Sequence, residues 1–541
     1  MKHAGWLLFV LLSLVFAQAC DLTNEAAGPG EVCVPREYFA CTGSEYELTC
    51  RRDEAGTMRC LHPDGGSCDA GEAPSLCGPG ASCMAADNSG YARCLLDEFS
   101  ACGDAWYACG PGLVCEDVNS GGDRCHTELF VQGQIFDAQS LEPIEGAQIL
   151  AFSDHAGAYE AVLSDASGMY RFPITARRDD HGLPVQQLIT LHVSAPDYQS
   201  FPGGLRTAER IDLSTVVLYA DEGTLTVDTA QTDVALLALP ESEQGFASIS
   251  GRIDRLRWPS GVLVVAESPT TRGLTAITDR DGAFTIFNVP PGSYEVHGYA
   301  AGIQLDPWPV FMEQVPYGGV RLRESESEEE LHTVSGHMNF IAASGALQSS
   351  VALVPASTYD EVMMRGEVPI GLSAAASDRF DQSGNWTIGG VPAGDYIVLA
   401  AFQNDGFVRG PYDDILGNQL VRISIPEGEG NVEVSPAFRV TDALDTIAPG
   451  AEGPEALAAP PTLTWGPARN VEHYDVMVFD AHGKLVWEAL DIAPGEEGDY
   501  LSVAYDGPFQ PGMYYQFRVT AYRSGSRVTS TEALRGVFYR E

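Results

Sequence analysis

The cysteines constrain this chain more than any other feature of its sequence. Twelve of the 13 lie between positions 33 and 125, and the remaining one is Cys20. A unit as short as about 30 residues cannot build an adequate hydrophobic core without cross-links. The twelve form three groups of four that repeat at about that interval: Cys33, Cys41, Cys50 and Cys60; Cys68, Cys77, Cys83 and Cys94; Cys102, Cys109, Cys115 and Cys125. We therefore expect residues 20–127 to form three small modules held by disulfides.

Zinc binding is the alternative reading of the same cysteines. Groups two and three share Cys-Gly-Pro-Gly-x-x-Cys, at 77–83 and 109–115, but no Cys-x-x-Cys pair occurs. Disulfides are favoured because the chain begins with an export signal, and each would contribute about 2–4 kcal/mol. Pairing within each group leaves three connectivities per group open. The array resembles the four-cysteine modules of surface proteins from myxobacteria and their relatives.

The first 19 residues predict a signal peptide. Lys2 and His3 precede an apolar stretch, residues 6–17, that is too short to cross a bilayer. Ala17-Gln18-Ala19 satisfies the small-x-small rule of ordinary signal peptidase, whereas a cysteine directly after the small residue resembles the lipobox of bacterial lipoproteins. Because the other twelve cysteines can pair completely, we expect Cys20 to be lipidated.

The charge excludes some classes of partner. Asp and Glu number 75 against 31 Lys and Arg, for a net charge of −44. A polyanion of this kind is repelled by nucleic acids and by anionic lipid, so we predict no nucleic-acid partner. The expected membrane contact is the lipid anchor at Cys20, which places the exported protein at the outer membrane or the cell surface.

After Cys125 the sequence predicts an all-β architecture. Period-two alternation replaces the cysteines, and no segment sustains a helical period. Three stretches repeat one plan, in which a glycine-containing strand is followed by Asp-x-x-Gly-x-aromatic. The glycines are Gly133, Gly251 and Gly336, and the second elements are 165–170, 279–284 and 381–386. The Asp and Gly suit a tight hairpin turn. The first repeat departs from the others by a polar insertion around 177–182.

These repeats resemble the carboxypeptidase regulatory-like domain, a transthyretin-like β-sandwich. The first matches best, through Gly133, 143–147, 165–170 and 195–198, and the third is looser. The resemblance implies a sandwich at 128–242, a second at 245–323 and a third at 332–442, with an acidic linker at 324–331. It implies an accessory role and brings no catalytic residues with it.

The C-terminal region resembles a fibronectin type III sandwich. Trp465 on an early strand, alternation over 474–479 and the pattern Gly-x-x-Tyr-x-Phe-x-Val-x-Ala from Gly512 support this. We expect a linker at 443–459 and the sandwich, presented outward, at 460–541. The fold class expected for the whole chain is tandem β-sandwiches, transthyretin-like and fibronectin-like, after a disulfide-rich N-terminal repeat region.

No catalytic or metal motif emerges, so the chain is predicted not to be an enzyme, with no cofactor, no catalytic residue and no metal ligand. His-x-x-Glu, His-Glu-x-x-His and Gly-x-Ser-x-Gly are all absent. His192 and His297 are interpreted as strand-face residues. The loop 279–282 is interpreted as a hairpin rather than a calcium site, because Ala283 and Pro290 stand where an EF-hand needs oxygen ligands. Trp258 and Trp308 suit either carbohydrate stacking or burial, and burial is favoured.

The sequence therefore predicts a non-catalytic cell-envelope lipoprotein. Its β-sandwiches would serve adhesion or bind a polysaccharide or an envelope protein. The alternative is a periplasmic scaffold or accessory subunit of an envelope or export complex whose enzyme is a separate chain.

Overall fold

The computed structural model contains β-strands and no α-helix in the part of the chain that it describes. The described residues are 29, 41, 48–53, 57–64, 66–68, 77, 80–85, 92–103, 109–153, 157–185, 187–221, 223–254, 259–325, 331–340, 349–374, 384–402, 420–428, 430–435, 437–441, 443–496, 498–532 and 535–540. They divide into two compact units. Unit 1 comprises residues up to Phe130 with Pro173–Gln186 and Tyr219–Thr226, and unit 2 comprises the rest.

The cysteine-rich region of unit 1 is built from short antiparallel hairpins. Its strands are β1 Thr49–Arg52, β2 Met58–Leu61, β3 Ser67–Cys68, β4 Ala81–Ala85, β5 Ala92–Leu96, β6 Leu113–Asp117 and β7 Asp123–Thr127. In each hairpin the third and fourth cysteines of a group lie directly opposite one another: Cys50 and Cys60, Cys83 and Cys94, Cys115 and Cys125.

The disulfides do not join these opposed cysteines. In groups two and three the first cysteine pairs with the third and the second with the fourth: Cys68–Cys83, Cys77–Cys94, Cys102–Cys115 and Cys109–Cys125. Cys41–Cys60 follows the same rule in group one, where Cys50 is also disulfide-bonded. Each hairpin therefore holds two upstream loops, and the cysteines supply most of the buried apolar cluster. Cys20 and Cys33 lie outside the described residues.

The strands that follow form four β-sandwiches in the described part of the chain. Sandwich 1 contains β8 Leu129–Asp137, β9 Gln148–Ser153, β10 Gly157–Ala158, β11 Val162–Leu163, β12 Met169–Ile174, β13 Leu188–Ser194, β14 Tyr198–Gln199, β15 Ile211–Asp212, β16 Leu218–Asp221, β17 Thr224–Val227 and β18 Val234–Ala238. Sandwich 2 contains β19 Ala247–Asp254, β20 Leu263–Glu267, β21 Leu274–Ile277, β22 Ala283–Val289, β23 Gly292–Ala300, β24 Ile303–Asp306, β25 Trp308–Met312 and β26 Tyr317–Glu324.

The remaining strands form the other two. Sandwich 3 contains β27 His332–Phe340, β28 Ser349–Pro355, β29 Asn385–Val391, β30 Gly394–Phe402, β31 Val421–Ile425, β32 Asn431–Glu433 and β33 Phe438–Val440. Sandwich 4 contains β34 Thr446–Ala448, β35 Glu455–Leu457, β36 Thr462–Trp465, β37 His473–Asp480, β38 Leu485–Ile492, β39 Leu501–Ala504, β40 Tyr514–Arg523, β41 Ser526–Ser530 and β42 Val537–Arg540. Two short 3-10 helices, Glu241–Glu243 and Ala356–Thr358, occur among the described residues.

The structure differs from the sequence interpretation at 443–459, which was expected to be a linker. Strand β34 pairs with β36, and β35 pairs in parallel with β42, so both belong to sandwich 4. Proline, glycine and glutamate are typical of linkers, and they are also tolerated in short edge strands.

The first three sandwiches share one topology. Their opening strands, β8, β19 and β27, each pair in parallel with a late strand of the same sandwich: β18, β26 and β32 with β33. Each opening strand also pairs with the strand that carries the aromatic residue of the repeat, namely β12, β22 or β29. The sequence repeat therefore corresponds to a structural repeat.

The repeated glycine makes room for the repeated aromatic ring. Gly251 and Gly336 lie directly opposite Phe284 and Trp386 in the strand register. A Cβ atom on Gly336 would lie 2.4 Å from the Trp386 ring, and one on Gly133 would lie 2.9 Å from the Tyr170 hydroxyl. The two signatures of each repeat are thus two halves of one packing contact.

The Asp-x-x-Gly element forms one hydrogen-bonded turn wherever it is described. Asp279 Oδ1 accepts hydrogen bonds from the backbone N–H groups of Asp281 and Ala283, both at 2.9 Å. Gly282 has a φ of 78°, which favours glycine, and its N–H donates to the Asp279 carbonyl. Equivalent turns begin at Asp165, Asp179 and Asp480. At Asp165 the Ser167 hydroxyl, followed by backbone N–H donors, lowers the pKa of the carboxyl.

Replacing Gly251 by alanine tests the glycine–aromatic contact. The added Cβ would lie 2.4 Å from the Val320 carbonyl oxygen and 2.9 Å from the Phe284 ring. We expect Gly251→Ala to lower the free energy of unfolding of sandwich 2 by about 2–3 kcal/mol, measured by denaturant titration. Gly318→Ala in the same sandwich is the control, because its Cβ would meet only Ser250 Oγ at 3.6 Å. Equal effects of the two substitutions would contradict this explanation.

Candidate functional site: the junctions between the sandwiches

The most distinctive polar and apolar groups of unit 2 lie where its sandwiches meet. Strand β20 is buried on both faces. Val264 and Ala266 face the core of sandwich 2, whereas Leu263 and Val265 belong to a cluster formed mainly by sandwich 3. Tyr299 of β23 joins them, with its ring 5.9 Å from that of Tyr396. Sandwiches 2 and 3 therefore share a hydrophobic core.

Strands β28 and β30 of sandwich 3 are covered on both faces too. Val351 and Val398 face the shared core, while Val354 and Ile397 face a smaller cluster on the other side. That side is covered by residues 356–371, which we call the junction segment, through Tyr359 and Val368. Continuous apolar runs are the sequence signal for strands buried on both faces.

The junction segment is tied to sandwich 2 by polar contacts. Arg272 Nη1 lies 2.7 Å from Asp360 Oδ2, and the Gly273 N–H donates to the Ser357 carbonyl. Glu267 Oε1 accepts hydrogen bonds from the hydroxyls of Tyr299, at 2.8 Å, and Ser357, at 2.9 Å. Burial, reinforced by the Glu267 charge, raises the pKa of Tyr299.

Sandwich 4 holds the same segment through a buried arginine. Arg518 of β40 is 8% exposed, and its Nη1 donates to the Val362 carbonyl at 2.6 Å. Nη2 reaches the Met363 carbonyl at 3.4 Å, and the guanidinium lies 4.8 Å from the centre of the Phe479 ring. A charged donor on two backbone carbonyls fixes the position of the segment more firmly than neutral hydrogen bonds would.

Sandwich 1 reaches both the junction segment and sandwich 4. Arg365 Nη1 donates to the Gly204 carbonyl. Arg206 is buried, donates to the Ala235 carbonyl and lies against the rings of Phe201 and Tyr514, the latter from sandwich 4. Burial lowers the pKa of Arg206 to about 10, so the side chain stays charged at neutral pH. Gln199 Nε2 adds a hydrogen bond to the Ala481 carbonyl at 2.9 Å.

Sandwiches 1 and 2 also meet directly. The Asn288 side-chain amide accepts from the Asp197 N–H at 2.7 Å and donates to the carbonyls of Tyr198 and Ala195. At another point the Ala158 N–H donates to Ser260 Oγ at 3.0 Å. The sandwiches of unit 2 therefore form a cluster with mutual contacts, and sandwich 4 is not a separate outermost domain.

A small cleft remains where sandwiches 1, 2 and 3 meet. Its volume is about 70 Å³, and it is bordered by His192 and Phe201 of sandwich 1, Leu263 and Thr275 of sandwich 2, and Glu367 of the junction segment. Ligand pockets usually measure roughly 300–1,000 Å³. The cleft can hold a few water molecules but not a sugar or a nucleotide.

Unit 1 contains a buried ion pair that the sequence did not reveal. Arg178 Nε lies 2.5 Å from Glu116 Oε2, and the two side chains are 0% and 2% exposed. Arg178 also donates to the carbonyls of Gly182 and Thr127, both at 3.1 Å. Burial raises the pKa of Glu116, and the Arg178 charge opposes that shift. The polar insertion at 177–182 is therefore attached to the third cysteine module.

His126 lies beside this pair. Its ring contacts Phe99 edge to face at 5.6 Å, and neither ring nitrogen has a hydrogen-bond partner. Burial, followed by the Arg178 charge, lowers the pKa of His126, which keeps the imidazole neutral next to the guanidinium.

Some residues singled out in the sequence lie in structural positions. Trp308 of β25 is half-buried against the core of sandwich 2, and Trp258 lies outside the described residues. His297 is on the outer face of β23, 3.6 Å from Glu295. The second Asp-x-x-Gly element is a hairpin turn. The acidic run begins at the end of β26, and 326–330 lie outside the described residues.

One mixed cluster of possible metal ligands occurs at the surface of sandwich 4. Donor atoms of His473, Asp475 and Asp491 lie within 4.8 Å of one another. Asp475 Oδ1 already accepts the Asp491 N–H at 3.0 Å, and the Asp491 side chain is 87% exposed. These contacts describe an ordinary surface hairpin. In the described part of the chain, no helix is long and apolar enough to cross a membrane.

Comparisons with known proteins do not assign a family. No family model matches the chain, and no curated protein matches it. Similar solved structures include the Bacillus anthracis TIE protein, at 9% identity and a TM-score of 0.14 over 76% of this chain and 72% of that chain. The shaft pilin SpaA of Lactobacillus rhamnosus GG has 10% identity and a TM-score of 0.16, covering 37% of this chain and 100% of its own. The minor pilin GBS52 of Streptococcus agalactiae has 12% identity and a TM-score of 0.16, covering 38% and 100%. TM-scores this low carry no argument about this chain.

Substituting Arg178 tests the buried ion pair. Arg178→Ala leaves the Glu116 charge buried and unpaired, so we expect a loss of about 3–5 kcal/mol in the stability of unit 1. The Cys109–Cys125 disulfide should then be reduced faster by dithiothreitol under native conditions. Arg177→Ala is the matched control, since its pair with Asp117 is 44% and 46% exposed and contributes about 0–1 kcal/mol. Equal reduction rates in the two variants would contradict a structural role for the pair.

Substituting Arg518 tests the attachment of sandwich 4. Arg518→Ala removes charged hydrogen bonds to two carbonyls of the junction segment, and we expect a loss of about 2–4 kcal/mol in stability. Hydrogen exchange should rise in peptides covering 359–366. The exposed pair of Arg422 with Glu361 supplies the control Arg422→Ala, for which a change under about 1 kcal/mol is expected. Unchanged exchange in the junction segment of Arg518→Ala would refute the contact.

Proposed function

We propose that this chain is a non-catalytic cell-envelope lipoprotein that presents a cluster of β-sandwiches for adhesion or for binding a polysaccharide or an envelope protein. Cys20 carries the lipid anchor, and the cysteine modules separate that anchor from the sandwiches. The first three sandwiches are transthyretin-like, as in carboxypeptidase regulatory-like domains, and sandwich 4 is fibronectin type III-like.

The use of the buried polar groups carries the proposal. Arg518, Glu267 and Asn288 are occupied by contacts between sandwiches. Arg178 and Glu116 are occupied by each other. The cleft near His192 is too small for an organic substrate. These groups stabilise an arrangement of domains, which is the task of a presenting or binding protein.

The disulfides support export. Disulfides persist in oxidising compartments outside the cytoplasm, and the described residues contain Cys41–Cys60 and the four bonds of modules two and three. The alternative is a periplasmic scaffold or accessory subunit. It differs from surface display only in the compartment that the sandwiches occupy.

Replacing Cys20 tests the anchor. Cys20→Ser removes the thiol that would carry the acyl chains, so the protein should move from the detergent phase to the aqueous phase in a Triton X-114 partition. Cys33 is not the anchor in this proposal, so Cys33→Ser should stay in the detergent phase. Wild-type protein in the aqueous phase would show that the chain has no lipid anchor.

The compartment can be read from a single amine. Lys2 and Lys484 are the only lysines, and Lys484 is exposed in the hairpin between β37 and β38. We expect a membrane-impermeant N-hydroxysuccinimide biotin to label Lys484 on intact cells, and Lys484→Arg to abolish that labelling. Labelling of Lys484 only after the outer membrane is permeabilised would establish the periplasmic alternative.

A further inference from the structure

The junction between sandwiches 1 and 2 covers a histidine that sandwich 1 alone would leave exposed. Strand β13 alternates, with Ile189, Leu191 and Val193 facing the core of sandwich 1. His192 therefore points outward from this strand. Its ring contacts Phe152 edge to face at 5.1 Å and borders the small cleft formed with sandwiches 2 and 3. The packing of other sandwiches against this face is what removes the imidazole from bulk water.

We propose that acid releases sandwich 1 from sandwich 2 through protonation of His192. In the docked arrangement a charged imidazolium would lie among Leu150, Phe201 and Leu263 with little access to water. In the undocked arrangement it would be a solvated residue on an exposed strand. Protons therefore bind the undocked form more readily.

The charged groups near His192 do not offset this effect. Glu367 is the other ionisable side chain that borders the cleft in the described residues, and it comes from the junction segment. The neighbours from sandwiches 1 and 2 are neutral: Gln148, Ser194, Ser200, Thr275 and Thr285. Asp279 and Arg280 contact sandwich 1 at a different point, through the backbones of Ala161 and Tyr159.

The size of the effect follows from proton linkage. Burial lowers the pKa of His192 to about 4 in the docked protein, against an ordinary value of 6.5. The ratio of docked to undocked protein should then fall about 30-fold between pH 8 and pH 5. Because the docked pKa is depressed, docking is strongest at high pH and weakens as the pH falls below 6.5.

An engineered thiol at the interface measures this ratio. Ala158 is 3% exposed, and its N–H donates to Ser260 Oγ of sandwich 2. In the full chain carrying Cys20→Ser and Ala158→Cys, the reaction rate with dithiodipyridine, divided by the rate in the unfolded chain at the same pH, reports undocking. We expect the protection of this interface thiol to fall about 30-fold from pH 8 to pH 5.

Substitutions of histidine identify the cause. With His192→Gln, or His192→Phe if the first variant does not fold, the fall should shrink to less than about 3-fold because no proton is taken up at this position. His473→Gln on sandwich 4 should behave as the wild type. Glu367→Gln should steepen the fall, because it removes the one carboxylate that could stabilise the imidazolium.

Three outcomes would overturn the proposal. The first is protection of the interface thiol that does not change with pH, and the second is an equal fall in both His192 variants. The third concerns a thiol inside sandwich 1, introduced by Ala151→Cys at a residue that is 0% exposed. If that thiol reacts at the same rate as the interface thiol at pH 5, acid unfolds the sandwich rather than undocking it.

Discussion

The architecture of unit 2 depends on burying the outer faces of β-strands that a lone sandwich would leave in water. Strands β20, β28 and β30 place apolar side chains on both faces. Burial of apolar area contributes about 25 cal/mol per Å². An isolated sandwich 2 would expose Leu263, Val265 and part of Tyr299, which lie in the core shared with sandwich 3. Docking between sandwiches is therefore part of folding, not a later association of finished domains.

The polar contacts at the junctions determine which arrangement is adopted. Apolar faces attract one another without fixed geometry, whereas a guanidinium on a carbonyl or a side-chain amide on a loop backbone requires one orientation. Arg518, Arg365 and Arg272 bring three sandwiches to the junction segment of the fourth. Arginine suits this role because its fork of donors stays charged even when the side chain is buried. In unit 1 the same solution appears as Arg178 on Glu116, which ties an insertion to a disulfide module.

Local features of this fold could be predicted from the sequence because each depends on residues close in the chain or in the repeat. The all-β architecture is confirmed. Gly251 and Phe284 were both singled out as repeat signatures, although their mutual contact emerges only from the strand register. The Asp-x-x-Gly turns follow from local hydrogen bonding, and at 443–459 local composition misled because edge strands and linkers use similar residues. The docking of sandwiches could not be predicted, since alternation shows which face is apolar but not which surface covers it. The run Leu263–Ala266 was the available signal, and the partner of Arg178 had none.

Hydrogen exchange of β20 in a variant of sandwich 3 tests the shared core most directly. Trp386 is 3% exposed in that core, and Trp386→Ala should destabilise sandwich 3 by about 3–5 kcal/mol. If the core is shared, peptides covering Leu263–Glu267 in sandwich 2 should exchange faster in this variant, while peptides covering Thr462–Trp465 in sandwich 4 change much less. Faster exchange confined to β27, β29 and β30, with β20 as protected as in the wild type, would show that the sandwiches fold independently and would contradict the account.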